Sequence, residues 1–208
     1  MSLDYLEFAS SSQPPQGLVI FLHGWGANAP DLYPLAETLN LPEYQFIFPN
    51  APFAHPEVPG GLMWYGLDLN NPEKIFSDSQ RIQASYKQLK AFLEGLSQQT
   101  GVPLEKTVLA GFSQGGAMTL HVGLTLPLAG LIGLSGYLHS EVEYSYELPV
   151  FLFHGRFDPM VPLEKGKQAR DTLQKQGIAV TYEEFDMAHQ IIPEELERVR
   201  QILVDVLA

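Results

Sequence analysis

The 208-residue chain contains no cysteine, which excludes disulfides, thiolate metal sites and a cysteine nucleophile together. Basic residues are scarce. Twelve Lys plus Arg stand against 24 Asp plus Glu, for a formal net charge of -12. A surface of that sign repels phosphate backbones and anionic headgroups, so neither a nucleic-acid partner nor stable membrane insertion is expected. Solubility suffices to explain the surplus acid. Long apolar runs are missing as well: GLVIFL and LIGL are strand-sized, far short of the roughly 20 residues of a membrane-spanning helix. Residues 1–16, MSLDYLEFASSSQPPQ, bring acids early and carry no apolar core. No signal peptide is expected there, and the expected location is cytoplasmic.

What is present is globular in composition, with 45% hydrophobic and 17% charged residues, and the length suits one domain over residues 1–208. Short apolar runs alternate with longer amphipathic ones, the pattern of a βαβ series. Strands are expected at residues 3–9, 18–22, 45–48, 107–110, 130–134, 150–153 and 180–185. Helices are expected at 30–39, 75–99, 114–125, 163–176 and 193–207. The interior strands, such as VIFL, are apolar without alternation, as a parallel sheet covered on both faces requires. The fold class is therefore α/β, with a mostly parallel central sheet and helices on both faces. Gly177 reads as the glycine just past a helix end, and Pro193 as the first residue of the last helix, with Glu194 and Glu195 in its first turn. From Asn50 to Lys74 no periodicity holds, yet Phe53, Val58, Leu62, Met63, Trp64, Tyr65 and Leu67 lie among its prolines and glycines. Such a segment is longer than an idle connector, and its apolar side chains need somewhere to go.

The strand ending TVLA runs into Gly111-Phe112-Ser113-Gln114-Gly115-Gly116-Ala117 and then a helix. This is G-x-S-x-G in strand–turn–helix context, the nucleophile elbow of the α/β-hydrolase fold. Its turn is so tight that the positions two before and two after the serine have little room for a Cβ, and both are glycine here. The helix start points its backbone N–H groups and dipole at the same place. Ser135 is a near miss: Gly133 precedes it, but Tyr137 stands where the second glycine belongs.

A serine hydroxyl needs an imidazole to take its proton, and in this fold the chain order is Ser, then Asp or Glu, then His. His23, His55 and His121 fall outside that stretch. His139 precedes any suitable acid loop, and His154 closes a strand, where a packed role is expected. His189, on the loop between strand VTYEEF and the last helix, is left as the base. The acid belongs on the loop after the preceding strand, where Asp158 sits before Pro159. Asp186 is the runner-up. Glu183 and Glu184 lie in the strand, where solvated roles are commoner. Two backbone donors must hold the oxyanion. One is the N–H of Gln114, directly after the serine. The other is assigned to Trp25, in the glycine-rich loop Leu22-His23-Gly24-Trp25-Gly26-Ala27-Asn28, while His23 is left structural.

Together LHGWGAN, GFSQGGAM, LSGYL, FHGRFDPMVP and MAHQI, in this order, resemble the phospholipase/carboxylesterase family, which includes the acyl-protein thioesterases. The resemblance extends over nearly the whole chain. It implies a single α/β-hydrolase domain without metal or organic cofactor. It also implies hydrolysis of carboxylic esters and, in some members, of thioesters of fatty-acylated proteins or of lysophospholipids. The substrate expected is a small or lipid-like acyl ester, with an acylated protein as the larger form. By the same resemblance Ser113, Asp158 and His189 form the triad, and Trp25 and Gln114 supply the oxyanion donors. Many members carry leucine at the position of Trp25. A backbone donor survives that change, but the ring narrows the acyl site, so short or medium chains are expected. Trp25, Phe53, Leu62, Met63 and Trp64 are the candidate acyl-pocket residues, with covering the core as the competing role for the last four. Two other readings stand beside the esterase: a dienelactone-hydrolase-like or peptidase activity on the same scaffold, and a non-catalytic hydrolase-like protein that binds apolar ligands. A complete triad argues against the second, and the absence of cysteine disfavours the usual dienelactone nucleophile.

Overall fold

A computed structural model describes residues 3–68, 78–139 and 144–208. Its central sheet has seven strands: β1 (Tyr5–Phe8), β2 (Leu18–Leu22), β3 (Gln45–Pro49), β6 (Thr107–Phe112), β7 (Gly130–Leu134), β8 (Val150–Gly155) and β9 (Val180–Phe185). They lie in the order β1-β3-β2-β6-β7-β8-β9. Only β1 runs antiparallel, pairing with β3, and every other neighbour pair is parallel. A separate two-stranded hairpin joins β4 (Phe53–Ala54) to β5 (Leu62–Met63).

The uninterrupted apolar strands are explained by what lies above and below them. Along β2, Leu18, Ile20 and Leu22 enter one core, and Val19 and Phe21 enter the other. The first core takes in Leu89, Phe92, Leu93 and Leu96 of helix α3 (Ser79–Thr100), with Met118 and Leu120 of α4 (Gln114–Gly123) and Ala169 and Leu173 of α5 (Leu163–Lys175). The second takes in Leu32 of α1 (Ala29–Leu32), Ala36 and Leu39 of α2 (Pro34–Leu39), and Val199, Ile202 and Leu203 of α6 (Pro193–Leu207). Each of the larger side chains among these, the alanines aside, contributes about 2 kcal/mol when taken out of water. Among the described residues no helix is long and apolar enough to cross a membrane.

Strands 18–22, 130–134 and 180–185 and helix 193–207 have the expected bounds. Gly177, at φ +84, lies just past α5 as its sequence position suggested, and its N–H bonds to the Gln174 carbonyl. The helix expected over 30–39 is broken in two. Pro34 has no N–H to continue the ladder and its ring clashes with the carbonyl four residues back, so α1 stops and Pro34 starts α2. The helix expected over 75–99 begins at Ser79, capped by Asp78, whose side chain accepts from the Arg81 N–H. Residues 75–77 of that expectation lie outside the described residues. The hairpin β4–β5 was hidden in the aperiodic stretch, because two-residue strands have no period to read.

Of the two acids in the first turn of α6, Glu194 is exposed, but Glu195 is wholly buried, and neither carboxyl oxygen has a hydrogen bond among the described residues. Burial pushes its pKa up to about 8, against an opposing pull from the Ile192 N–H that falls short of a hydrogen bond. A carboxyl raised in this way holds a proton in the native state that the unfolded chain gives up above its ordinary value of 4.5. Stability therefore falls as pH climbs between those values and levels off above the upper one. Glu195→Gln is expected to match the parent near pH 4 and to exceed it at about pH 9 by up to ~5 kcal/mol. Urea midpoints at the two pH values check this, and an equal difference at both would contradict it.

Candidate active site

The strand order reverses between β2 and β6. Chain from β2 moves outward to β3, and then returns to the other side of β2 as β6. At such a switch point the loops leaving the carboxyl ends of the two strands diverge and leave a crevice. The loop after β2 is His23 to Asn28, and the residue after β6 is Ser113.

Ser113 has φ 56 and ψ -117, a backbone region that L-residues rarely occupy. The flanking glycines show what holds it there. A Cβ on Gly111 would collide with the Gly115 carbonyl group, and one on Gly115 would collide with the Leu22 carbonyl oxygen and come within 2.6 Å of the His23 oxygen. The Ser113 N–H donates to the Leu134 carbonyl at 2.8 Å, which pins the turn to β7. Its Oγ lies 2.9 Å from His189 Nε2. On the other side of that ring, Nδ1 is 2.7 Å from Asp158 Oδ2. The Phe112 ring packs beside the imidazole at 4.7 Å between centroids.

The Asp158 side chain has no exposed surface, and the His189 side chain is 15% exposed. Asp158 Oδ1 accepts two backbone N–H groups, from Met160 and Val161, at 2.8 Å each. With these donors occupying one oxygen, the other is free to accept Nδ1–H, which leaves Nε2 of His189 unprotonated toward the serine. Asp186, the runner-up, lies elsewhere: its side chain is 72% exposed and pairs with Arg156 at 2.5 Å. Glu183 and Glu184 bond Arg198 and Arg156. His154 donates from Nε2 to the Val161 carbonyl at 2.9 Å, a packed role.

Gln114 is the first residue of α4, so its N–H has no acceptor inside the helix. The Trp25 N–H makes no hydrogen bond among the described residues. Neither N–H is therefore spent on a backbone hydrogen bond among the described residues. The Trp25 ring is half-buried, edge-on to His55 with centroids 4.2 Å apart.

The structure corrects the proposed acyl wall. Trp64 has no exposed surface, its Nε1 donates to the His23 carbonyl at 3.0 Å, and Met63 is buried. Neither presents a face to a bound chain, because both are enclosed by protein. Phe53 and Leu62 are half-buried, and Leu62 packs against the first core. The sequence also gave no hint that the side chain of Gln114 is buried and bonded to the backbone of Trp64 and Tyr65. A glutamine in an elbow motif reads as a generic linker, and its partners lie 50 residues away.

The family model described as phospholipase/carboxylesterase matches residues 3–207. Acyl-protein thioesterase 1 of Gibberella zeae is 33% identical, with 95% of this chain and 93% of the relative covered. Acyl-protein thioesterase 1 of Kluyveromyces lactis is 30% identical, covering 100% and 99%. The crystal structure of esterase PE8 superposes with a TM-score of 0.93 at 30% identity, over 99% of this chain and 100% of that one.

Proposed function

Because the chain belongs to the phospholipase/carboxylesterase family, we propose that it cleaves carboxylic esters, and acyl thioesters as a second class, through an acyl-enzyme on Ser113. Membership makes it a serine hydrolase of the esterase or thioesterase type. The observation that carries the mechanism is the unbroken hydrogen-bonded line from Ser113 Oγ through His189 to the buried Asp158. In this reading His189 Nε2 takes the Ser113 proton as Oγ attacks the acyl carbon. Negative charge gathers on the carbonyl oxygen, where the Gln114 and Trp25 N–H groups receive it. Asp158 steadies the imidazolium, which returns its proton to the departing alcohol or thiol. A water then attacks the acyl-enzyme, with His189 as base again, and Ser113 is released.

Trp25 is the proposed limit on chain length, with Phe53 and Leu62 as the remaining apolar candidates beside it. Each methylene buried in an acyl site contributes about 0.8 kcal/mol, so kcat/KM rises up to roughly fourfold per added carbon until the site is full. The expected outcome for the parent is an early optimum, at short or medium acyl chains. Trp25→Leu is expected to move the optimum to longer chains with kcat on short esters preserved, since the donor at this position is backbone. The check is kcat/KM across an acyl series with ester and thioester leaving groups in parallel. No turnover of any member would defeat the esterase reading. An unchanged optimum in Trp25→Leu would defeat only the role given to the ring.

A further inference from the structure

The Trp25 N–H shares one planar peptide unit with the Gly24 carbonyl, and in a trans peptide the two point in opposite directions. Fixing the carbonyl end therefore aims the N–H end. The Gly24 oxygen is 2.8 Å from His23 Nδ1 and also accepts from the Ala27 N–H at 3.3 Å. The tautomer of His23 follows from its other nitrogen. Nε2 accepts from the Ala51 N–H at 3.0 Å, so the ring proton is on Nδ1 and is donated to Gly24. His23 is completely buried. That burial lowers its pKa, which keeps the ring neutral and the donor–acceptor assignment fixed.

A second set of bonds joins this loop to the nucleophile's helix. Trp64 Nε1 donates to the His23 carbonyl at 3.0 Å. The Trp64 N–H donates to Gln114 Oε1, and Gln114 Nε2 donates to the Tyr65 carbonyl, each at 2.8 Å. Backbone bonds from Gly26 N–H to the Leu62 carbonyl and from Leu62 N–H to the Ala27 carbonyl, at 2.8 and 2.9 Å, complete the frame. The segment Leu62–Tyr65 is thus bonded on one side to the loop that carries the Trp25 N–H and on the other to Gln114, which carries the second N–H.

We infer that His23 and Trp64 are positioning residues of the oxyanion hole: His23 aims the Gly24–Trp25 peptide, and Trp64 locks that loop to Gln114 so that the two donors converge. This rests on the proposed acyl-enzyme chemistry at Ser113. A preorganised pair of donors stabilises charge that develops only in the transition state, so loosening it lowers kcat and leaves ground-state binding alone.

The test uses three variants of the whole chain. His23→Gln places its amide where Nε2 was and loses the donor to Gly24. His23→Asn places its amide nitrogen where Nδ1 was and keeps that donor. Trp64→Phe keeps a ring but loses the indole N–H. Steady-state kcat and KM on one ester are measured with the inhibition constant of a trifluoromethyl ketone, whose hemiketal oxygen occupies the oxyanion position. The expected result is a kcat lower by about tenfold or more in His23→Gln and Trp64→Phe, with KM within about twofold and ketone affinity falling in step. His23→Asn is expected to regain most of the loss. A folded His23→Gln or Trp64→Phe with parental kcat would overturn the inference, as would a loss confined to KM or equal losses in the two His23 variants. If the His23 variants do not fold, Trp64→Phe decides alone. A fluorophosphonate that fails to label Ser113 in the parent would strike the esterase mechanism instead, which keeps the two failures apart.

Discussion

Ser113→Ala is expected to lose about 10⁴-fold or more in kcat while keeping the native fold. The size of the effect follows from what the hydroxyl alone does. Its oxygen is 2.9 Å from His189 Nε2, at the end of a line anchored by Asp158. Removing it deletes the bond-forming atom, and only the oxyanion donors and binding remain to help water attack directly. The fold is expected to survive because the strained φ of 56 is imposed by the packing of Gly111 and Gly115, and alanine tolerates it about as well as serine does. Two measurements check this. A fluorophosphonate should add one label, located by peptide mass at Ser113, and the thermal melting of the alanine variant should stay near that of the parent. Ser135 is the informative control. It also has positive φ, but it is buried, its Oγ has no hydrogen-bond partner among the described residues, and its N–H is spent on the Phe153 carbonyl. A label on Ser135, or full turnover in Ser113→Ala, would overturn the assignment.

The parts of the molecule that could be read from sequence are those in which one physical constraint acts over a short stretch. Strands such as LVIFL are legible because both faces are covered, so every residue must be apolar. The elbow is legible because a collision with the Gly115 carbonyl group forbids a Cβ at Gly111. The line from Ser113 to Asp158 spans loops after three different strands, yet chain order, with the strand-end place of His154, leaves one histidine of six. What stayed hidden depends on contacts between distant residues of ordinary type. Pro34 is visible in the sequence, but the apolar pattern runs through it unbroken and masks the break. Trp64 was legible only as a bulky apolar residue on a loop. Its bonds to His23 and Gln114 span 41 and 50 residues and leave no periodic trace. Glu195 fitted a helix start by position, and only the packing reveals that it is buried.

Asp158→Asn is expected to cost about 10⁴-fold in kcat, and Asp186→Asn less than about twofold. The first figure comes from the direction in which the new amide must point. Met160 and Val161 N–H both aim at Oδ1 at 2.8 Å, so an asparagine keeps its oxygen there. Turning it around would set an NH₂ group against two N–H donors and leave both unpaired, at about 1–3 kcal/mol each. The amide nitrogen therefore faces His189 Nδ1 and donates to it. That bond places the ring proton on Nε2, against the Ser113 hydroxyl, where the imidazole can no longer accept. The fold loses little, since the shape and the two backbone bonds are retained. Asp186 has none of these constraints: it is mostly exposed, and its partner Arg156 also bonds Glu184. Exposed pairs of this kind contribute at most about 1 kcal/mol to stability and do not touch the imidazole. The two variants are compared by kcat on one short ester and by the rate of fluorophosphonate labelling, with thermal melting as the control for folding. Labelling should slow in Asp158→Asn in proportion to kcat, because both need the unprotonated Nε2. A large loss in Asp186→Asn with a small one in Asp158→Asn would move the orienting role to Asp186, and comparable small losses would mean that His189 works without a carboxylate partner.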